Sequence, residues 1–220
     1  MRASVAPEFR PTLRDLVAAR AGRRGRWALA AVAVLLAAAL AYEVLRPVDD
    51  GIDVVRRAGP VTFNFRYTEP LAPVPPRGAE LLRLEVRRGE KFVQSFAVEP
   101  LRLAPYRGDV GGVLPVLAAR EIEALRGRYD EFELVSDGKT RVNEVPGYNV
   151  LFRARLGKRR LWGRQVLLPG REPGATDGVR LLLLATPAAG VSNANEVGIR
   201  GVIKRPYRTF RFGTEKRYAD

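Results

Sequence analysis

VRLLLLAT, at residues 179–186, is an extended stretch with a single charged side chain, Arg180. Successive side chains of a strand point to opposite faces of the sheet, so leucines at consecutive positions need apolar surroundings on both faces. Turn-forming residues bound the stretch, PGREPGATDG before it and Pro187 after it, which limits it to the length of a strand. We therefore predict that this strand lies at the centre of a sheet whose two faces are both covered.

The residues before this strand predict a long β-hairpin. Tyr148–Leu156 and Arg159–Leu168 are extended, and the Gly-Lys pair between them predicts the turn. Apolar and polar residues alternate in the first strand, which places Arg153 and Arg155 on a common face. Further back in the chain, the Asp-Gly pair within Ser136–Lys139 predicts another tight turn.

Helices and further strands flank these elements. Gly111–Leu125 has apolar residues at helical spacing, and a last helix is predicted from Ser192 to about Lys204, ended by Pro206. The other extended stretches are Val61–Tyr67, Glu80–Arg88, Lys91–Leu103, Phe132–Val135 and Tyr207–Phe212. Within the third, Pro100 predicts an edge position or a kink. The order predicts an α+β fold, a mostly antiparallel sheet with helices packed on it.

A second apolar stretch, WALAAVAVLLAAALAYEVL at Trp27–Leu45, predicts a transmembrane helix. It is uncharged over 16 residues, Trp27–Tyr42, which is roughly 24 Å of helix against a hydrocarbon core of about 30 Å. Arginines dominate the residues before it and aspartates those after it, so the positive-inside rule predicts a cytoplasmic N-terminus and an extracytoplasmic domain. The alternative is a signal peptide cleaved near Ala41, which would give a secreted domain.

These elements divide the chain into five predicted segments. They are a basic cytoplasmic segment at 1–26, the transmembrane helix at 27–45, a linker at 46–60, the extracytoplasmic α+β domain at 61–212, and a polar tail at 213–220.

Composition excludes several kinds of chemistry. The 220 residues include no cysteine and no histidine, and the formal net charge is +14. Disulfides and thiolate nucleophiles are therefore excluded, and so are the commonest general base and the commonest transition-metal ligand. We predict no catalytic, cofactor-binding or metal-binding residue. An extracytoplasmic location also argues against a nucleic-acid partner, so the positive charge predicts an anionic partner of another kind.

The densest basic feature of the sequence lies in the predicted hairpin. Arg153 and Arg155 share one face of its first strand, and Trp162 shares a face of the second strand with two arginines. If the two faces coincide, they form a positive patch around an aromatic side chain; the alternative is a solvated, arginine-rich face. The candidate patch consists of Arg153, Arg155, Lys158, Arg159, Arg160, Trp162 and Arg164.

Three stretches carry a resemblance to a known family. They are VTFNFRYTEP, then the helix at Gly111–Leu125 followed by FELVSDGKTRVNEVPGYNVLFRARLG, and then LLLLATPAAGVSNANEVGIRGVIKRPYRTFRF. Over about residues 61–212 this order resembles the PsbP-like superfamily, whose relatives include LpqN-type cell-envelope proteins. The family's tryptophan after the opening strand is missing, as is the acylated cysteine of many envelope members. The resemblance implies an α-β-α layered domain that acts as a non-enzymatic assembly or binding module.

Three functions remain open from the sequence. The leading hypothesis is a single-pass, membrane-anchored extracytoplasmic binding or assembly module without catalytic activity. Its expected partners are the membrane and an anionic lipid, a wall polymer or another envelope protein. The alternatives are a lipid or small-ligand carrier with an apolar cleft, and a cell-envelope enzyme that uses carboxylates or a Ser-Lys pair.

Overall fold

The computed structural model describes residues 23–45, 51–172 and 174–215; within the first range it describes side chains at 27, 28, 31–39 and 41. The chain divides into two compact units, Met1–Asp49 and Asp50–Asp220. Residues 1–22, 46–50 and 216–220 lie outside the described residues, and with them most of the predicted basic segment and parts of the predicted linker and tail.

The described residues of the first unit form a helix, α1, at Arg23–Leu45, which begins before the predicted start at Trp27. The described side chains of this helix are all apolar and all exposed. Over the residues that the structure describes, no helix combines the length and the apolar character needed to span a membrane.

In its described residues, the second unit has ten strands and two α-helices. The strands are β1 (Ile52–Arg56), β2 (Phe63–Tyr67), β3 (Ala72–Val74), β4 (Leu82–Arg88), β5 (Lys91–Arg102), β6 (Asp130–Val142), β7 (Val145–Leu156), β8 (Arg159–Pro169), β9 (Asp177–Ala185) and β10 (Arg211–Phe212). The helices are α2 (Val110–Arg128) and α3 (Lys204–Thr209). Seven strands form an antiparallel sheet in the order β3-β4-β5-β9-β8-β7-β6, and β1-β2-β10 form a smaller sheet. The predicted α+β class is confirmed, and so is the central place of the 179–186 strand, which is β9.

The two faces of β9 enter two different hydrophobic cores. Leu181 and Leu183 pack toward the small sheet, in a core that includes Phe63 and Phe65 of β2. Leu182 and Leu184 enter the other core, which α2 covers with residues such as Leu114 and Leu125. The layers are therefore α2, the seven-stranded sheet, and the small sheet with α3. The third layer differs from the implied α-β-α layering, because it combines the paired strands β1, β2 and β10 with α3 and the residues before it.

The predicted hairpin is confirmed as β7 and β8, with Leu156 opposite Arg159 around the Gly-Lys turn. The turn predicted at Ser136–Lys139 is wrong, because these residues lie inside β6 and pair with β7. The chain instead reverses at Asn143 and Glu144, whose φ angles of 43° and 72° are those of a two-residue hairpin turn.

Three other predictions need correction. Part of the predicted linker is β1, because Val54 and its neighbours pair along β2. The last helix is not continuous: a short 3-10 turn at Ala194–Glu196 is followed by Gly198 and Gly201 with φ angles of 78° and 72°, which a helix cannot contain. Only α3 is helical beyond them; it includes Pro206, so the predicted closing strand shrinks to β10.

β5 lies between β4 and β9, but Pro100 lies beyond the end of β4 and is therefore locally at an edge of the sheet, as predicted. It is tolerated because β4 begins at Leu82, opposite Val98, so no β4 residue pairs with Pro100. The nitrogen that lacks a proton therefore faces no ladder acceptor.

Both cores are complete within Asp50–Asp220, since every member of each lies between Val54 and Phe212. A unit with its own core is able to fold independently. We therefore use residues 50–220 as the folded unit in solution experiments.

Gly163 of β8 faces Phe152 of β7, and a Cβ at this position would overlap the Phe152 ring. We expect Gly163→Ala to lower the free energy of unfolding of residues 50–220 by about 2–3 kcal/mol, because an overpacked core must shift its neighbours. Urea denaturation measures the change. Gly112→Ala in α2 is the matched control: no atom lies within 4 Å of its new Cβ, so stability should stay the same or rise by up to about 1 kcal/mol. Equal effects of the two substitutions would contradict the packing argument.

Candidate functional site

An open groove of about 900 Å³ lies on the face of β6, β7 and β8 that carries Trp162. We call it the β6–β8 groove. One wall is the β6 stretch Glu131–Val135, the floor belongs to β7 and β8, and the other wall is the loop at Ser192–Ala194. Its lining residues from the predicted patch are Arg153, Arg155, Lys158, Arg160 and Trp162.

The strand register explains why these residues meet. Arg153 lies directly opposite Trp162, and Arg155 lies directly opposite Arg160. Residues opposite each other in an antiparallel pair share a face, so the two faces of the predicted patch coincide. Arg159 lies opposite Leu156, one position out of step, and does not line the groove.

Arg164 shares the face but is a structural residue. Its side chain is buried; Nε donates to the Val197 carbonyl at 2.6 Å and Nη2 to the Asn195 carbonyl at 3.0 Å. The guanidinium carbon also lies 5.6 Å from the centre of the Tyr207 ring. The guanidinium therefore ties the 195–197 segment to β8 and is not available to a partner.

Arg153 and Arg155 are neutralised by carboxylates of β6. Arg153 Nε donates to Glu133 at 2.7 Å, and Arg155 Nη1 donates to Glu131 at 2.7 Å. Glu131 has a left-handed φ of 48°, and the register slips between Asp130 and Glu133, so an irregularity in β6 accompanies the two acids at this wall. Among the described residues, Lys158 and Arg160 form no ion pair, and they supply the net charge of the groove.

Glu196 orders the second wall. Its carboxylate accepts from the Ser192 backbone N–H at 2.7 Å and from the Ser192 hydroxyl at 3.0 Å, and these hydrogen bonds lower the pKa of Glu196 below its usual value. Asn193 caps the 3-10 turn through a 3.3 Å hydrogen bond from the Glu196 N–H. With Arg164 on the other side of the turn, hydrogen bonds connect this wall to β8 as well as within itself.

Apolar side chains complete the groove. Leu134 and Val135 of β6 are 36% and 43% exposed, which is high for adjacent large apolar residues on one strand. The sequence does not predict this wall or the part that Glu131 and Glu133 play in it. A usable signal is present, because the two acids sit at alternate positions at the start of a strand, but cross-strand pairing with the arginines depends on a register that local sequence does not define.

Within the described residues, no group of three or more histidine, cysteine, aspartate or glutamate side chains is placed to hold a metal ion. The groove itself combines two ion pairs, two further cations and an apolar wall. Such a surface is suited to binding by charge and shape.

Comparison with known proteins bears on the fold. No protein-family model matches the sequence, and no curated protein matches it. The solution structure of cyanobacterial PsbP from Synechocystis sp. PCC 6803 superposes with a TM-score of 0.52 at 9% identity, covering 77% of this chain and 96% of that one. The chain has a PsbP-like fold. A Pseudomonas aeruginosa protein of unknown function, PA94, is 16% identical over 63% of this chain and 85% of its own, with a TM-score of 0.34, too low to establish a shared fold.

The contrast between Arg164 and Arg160 gives a test of which predicted patch residues are structural. We expect Arg164→Ala to lower the free energy of unfolding of residues 50–220 by about 2–4 kcal/mol, because two carbonyl groups lose their buried donor. Arg160→Ala removes an exposed side chain of the same type and should change stability by less than about 0.5 kcal/mol. Urea denaturation of both variants measures the difference, and similar values would contradict the structural assignment of Arg164.

Proposed function

We propose that this chain is a membrane-anchored binding module without catalytic activity, and that the β6–β8 groove docks an extended segment of a partner protein. The observation that carries the proposal is the register of β7 with β8. It gathers four of the six cations predicted from the sequence into one groove, and that groove ends at an exposed apolar wall.

The charge of the groove indicates the chemistry of the partner segment. Arg153 and Arg155 are already paired with carboxylates, so they add shape and little net charge. Lys158 and Arg160 are exposed and attract acidic side chains. The apolar wall beside them favours a large apolar residue next to the acids in the partner's sequence.

The position of β6 indicates how such a segment would bind. β6 is the last strand of the seven-stranded sheet, and its 13 residues are mostly exposed. An edge strand offers backbone N–H and C=O groups that a further strand can pair with. The groove begins at this edge, so a segment that pairs with β6 would turn alternate side chains toward the apolar wall at Leu134 and Val135.

The anchor is supported by the sequence and by helix α1. Trp27–Tyr42 is uncharged over 16 residues, and the side chains described at 31–39, about two and a half turns of α1, are all apolar and exposed. A helix without a polar face needs apolar surroundings, which a bilayer provides. The basic residues before it favour a cytoplasmic N-terminus, with the β6–β8 groove outside.

A carrier function is less well supported. Carriers of lipids or small ligands enclose them in mostly apolar pockets. The β6–β8 groove is open and lined by six charged residues, namely Glu131, Glu133, Arg153, Arg155, Lys158 and Arg160. An enzyme would also need an activated nucleophile or a free acid–base pair, and the two groove glutamates are both in ion pairs.

The docking proposal is tested by site-specific photocrosslinking of the full chain in its native membrane. We expect a benzophenone amino acid at Val135 to form a discrete adduct with a protein. The same probe at Val116, which is 59% exposed on α2, should not form it. Lys158→Glu/Arg160→Glu should abolish the Val135 adduct, because the acidic partner would then be repelled. Identical adducts from Val116, or an adduct that survives the charge reversal, would contradict docking in the groove.

The anchoring proposal is tested by alkaline carbonate extraction and a fusion reporter. The full chain should remain in the membrane pellet because α1 lies in the bilayer, whereas residues 50–220 alone should be released.

Alkaline phosphatase fused after Asp220 should be active, since this enzyme folds only outside the cytoplasm. A mature N-terminus at Tyr42 would show cleavage and contradict the anchor.

A further inference from the structure

We propose that the end of the sheet at the β4–β5 and β7–β8 turns is a second site, which binds the headgroups of anionic lipids at a membrane surface. A hollow of about 450 Å³ lies there, separate from the β6–β8 groove except for Arg160, which borders both. We call it the tip hollow. Its rim is cationic and its floor is apolar.

Four cations surround the tip hollow. Arg88 and Lys91 lie opposite each other at the β4–β5 turn, and Arg159 and Arg160 begin β8. All four are exposed, and in the part of the chain that the structure describes none of them forms an ion pair. Glu90, the acidic residue of the β4–β5 turn, is exposed and does not line the hollow.

The side chains on the floor of the hollow are apolar. Phe92, Val93, Pro187 and Ala188 form it, and Pro187 and Ala188 are exposed. Thr186 is the neutral polar residue of the lining, but its N–H and hydroxyl both already donate to the Val93 carbonyl at 2.9 Å. A small soluble anion would use the rim and leave the apolar floor wet. An anionic lipid would use both, with its phosphate at the rim and its glycerol neck on the floor.

A neighbouring side chain supports a membrane surface as the occupant. Leu156, at the end of β7 beside the Lys158 turn, is 51% exposed. Exposed apolar side chains flanked by lysine and arginine are typical of protein surfaces that lie in the headgroup layer. Each basic residue near an anionic bilayer contributes about 1 kcal/mol, so the rim can hold the domain on such a surface.

Vesicle flotation of residues 50–220 tests this site without α1 and without the partner of the groove. The probes are phosphatidylglycerol–phosphatidylcholine vesicles and pure phosphatidylcholine vesicles. We expect binding to the anionic vesicles only. Arg88→Ser/Lys91→Ser should weaken it by at least about tenfold, because two rim cations are lost. Ala188→Glu should weaken it similarly, because it places a carboxylate in the hollow at an exposed position.

Arg107→Ser/Arg120→Ser is the matched control. Both residues are exposed, and neither lies at the tip hollow. Removal of the same charge there should weaken binding by less than about threefold, since exposed charges beyond about 10 Å are screened by salt. Urea denaturation confirms that each variant is folded. Neither Arg88→Ser/Lys91→Ser nor Ala188→Glu alters a residue that lines the β6–β8 groove. Loss of lipid binding in these variants and loss of the Val135 adduct are therefore separate results.

Four vesicle-binding results would overturn the lipid site, and a competition experiment adds a fifth. These are absence of binding by the unmodified chain, equal binding to pure phosphatidylcholine, an equal loss in the control variant, and retention of binding by both test variants. Inorganic phosphate serves as a competitor, with sodium chloride of the same ionic strength as reference. Displacement by phosphate beyond the effect of the chloride would identify a site for soluble anions and overturn the membrane proposal.

Discussion

The burial of β9 on both faces is the constraint on which the rest of the structure depends. A strand with leucine at four consecutive positions, 181–184, has no face that can turn to water. One cover is α2 and the other is the small sheet, and the two cores meet only through β9 and its neighbours. The small sheet joins β1 and β2 from the start of the domain with β10 from its end. The cover on this side of β9 is therefore built from both ends of the domain.

Arg180 is the exception in β9, and it explains the position of α2. Its guanidinium contacts Glu121 of α2 at 2.8 Å and Glu99 of β5 at 3.3 Å. Farther along the same face, Arg83 is 4% exposed and contacts Glu80 at 2.8 Å and Glu85 at 3.2 Å. Only the Arg180–Glu121 pair among these joins the helix to the sheet, so it favours the register of α2 that keeps the pair, whereas the buried Arg83 pairs stabilise β4 and the residues before it.

The sequence predicts elements whose evidence is local and continuous. Periodicity and a Gly-Lys turn predict the 179–186 strand, the β7–β8 hairpin and α2. The structure contains all three. The Asp-Gly pair failed as a turn predictor because β7 pairs along the whole of β6, and long-range pairing outweighs a local preference. The prediction of a helix at 192–204 was wrong because Gly198 and Gly201 adopt positive φ angles. Glycine permits such angles, but its presence in a sequence does not show that they are adopted.

The candidate site shows why an arginine count is a poor measure of binding capacity. The sequence does not distinguish the roles of the seven patch residues. In the structure, Arg164 donates to a backbone carbonyl, Arg153 and Arg155 form ion pairs with glutamates of β6, and Trp162 is buried. Opposite charges in contact cancel beyond a few ångströms, so the field that a partner meets comes from cations without a carboxylate. Among the described residues, the β7–β8 hairpin carries its unpaired cations near the turn, and Arg88 and Lys91 of the β4–β5 hairpin lie beside Arg159 and Arg160 there. The strength of the surface therefore depends on which strand ends the sheet brings together, a property of topology that no single stretch of sequence contains.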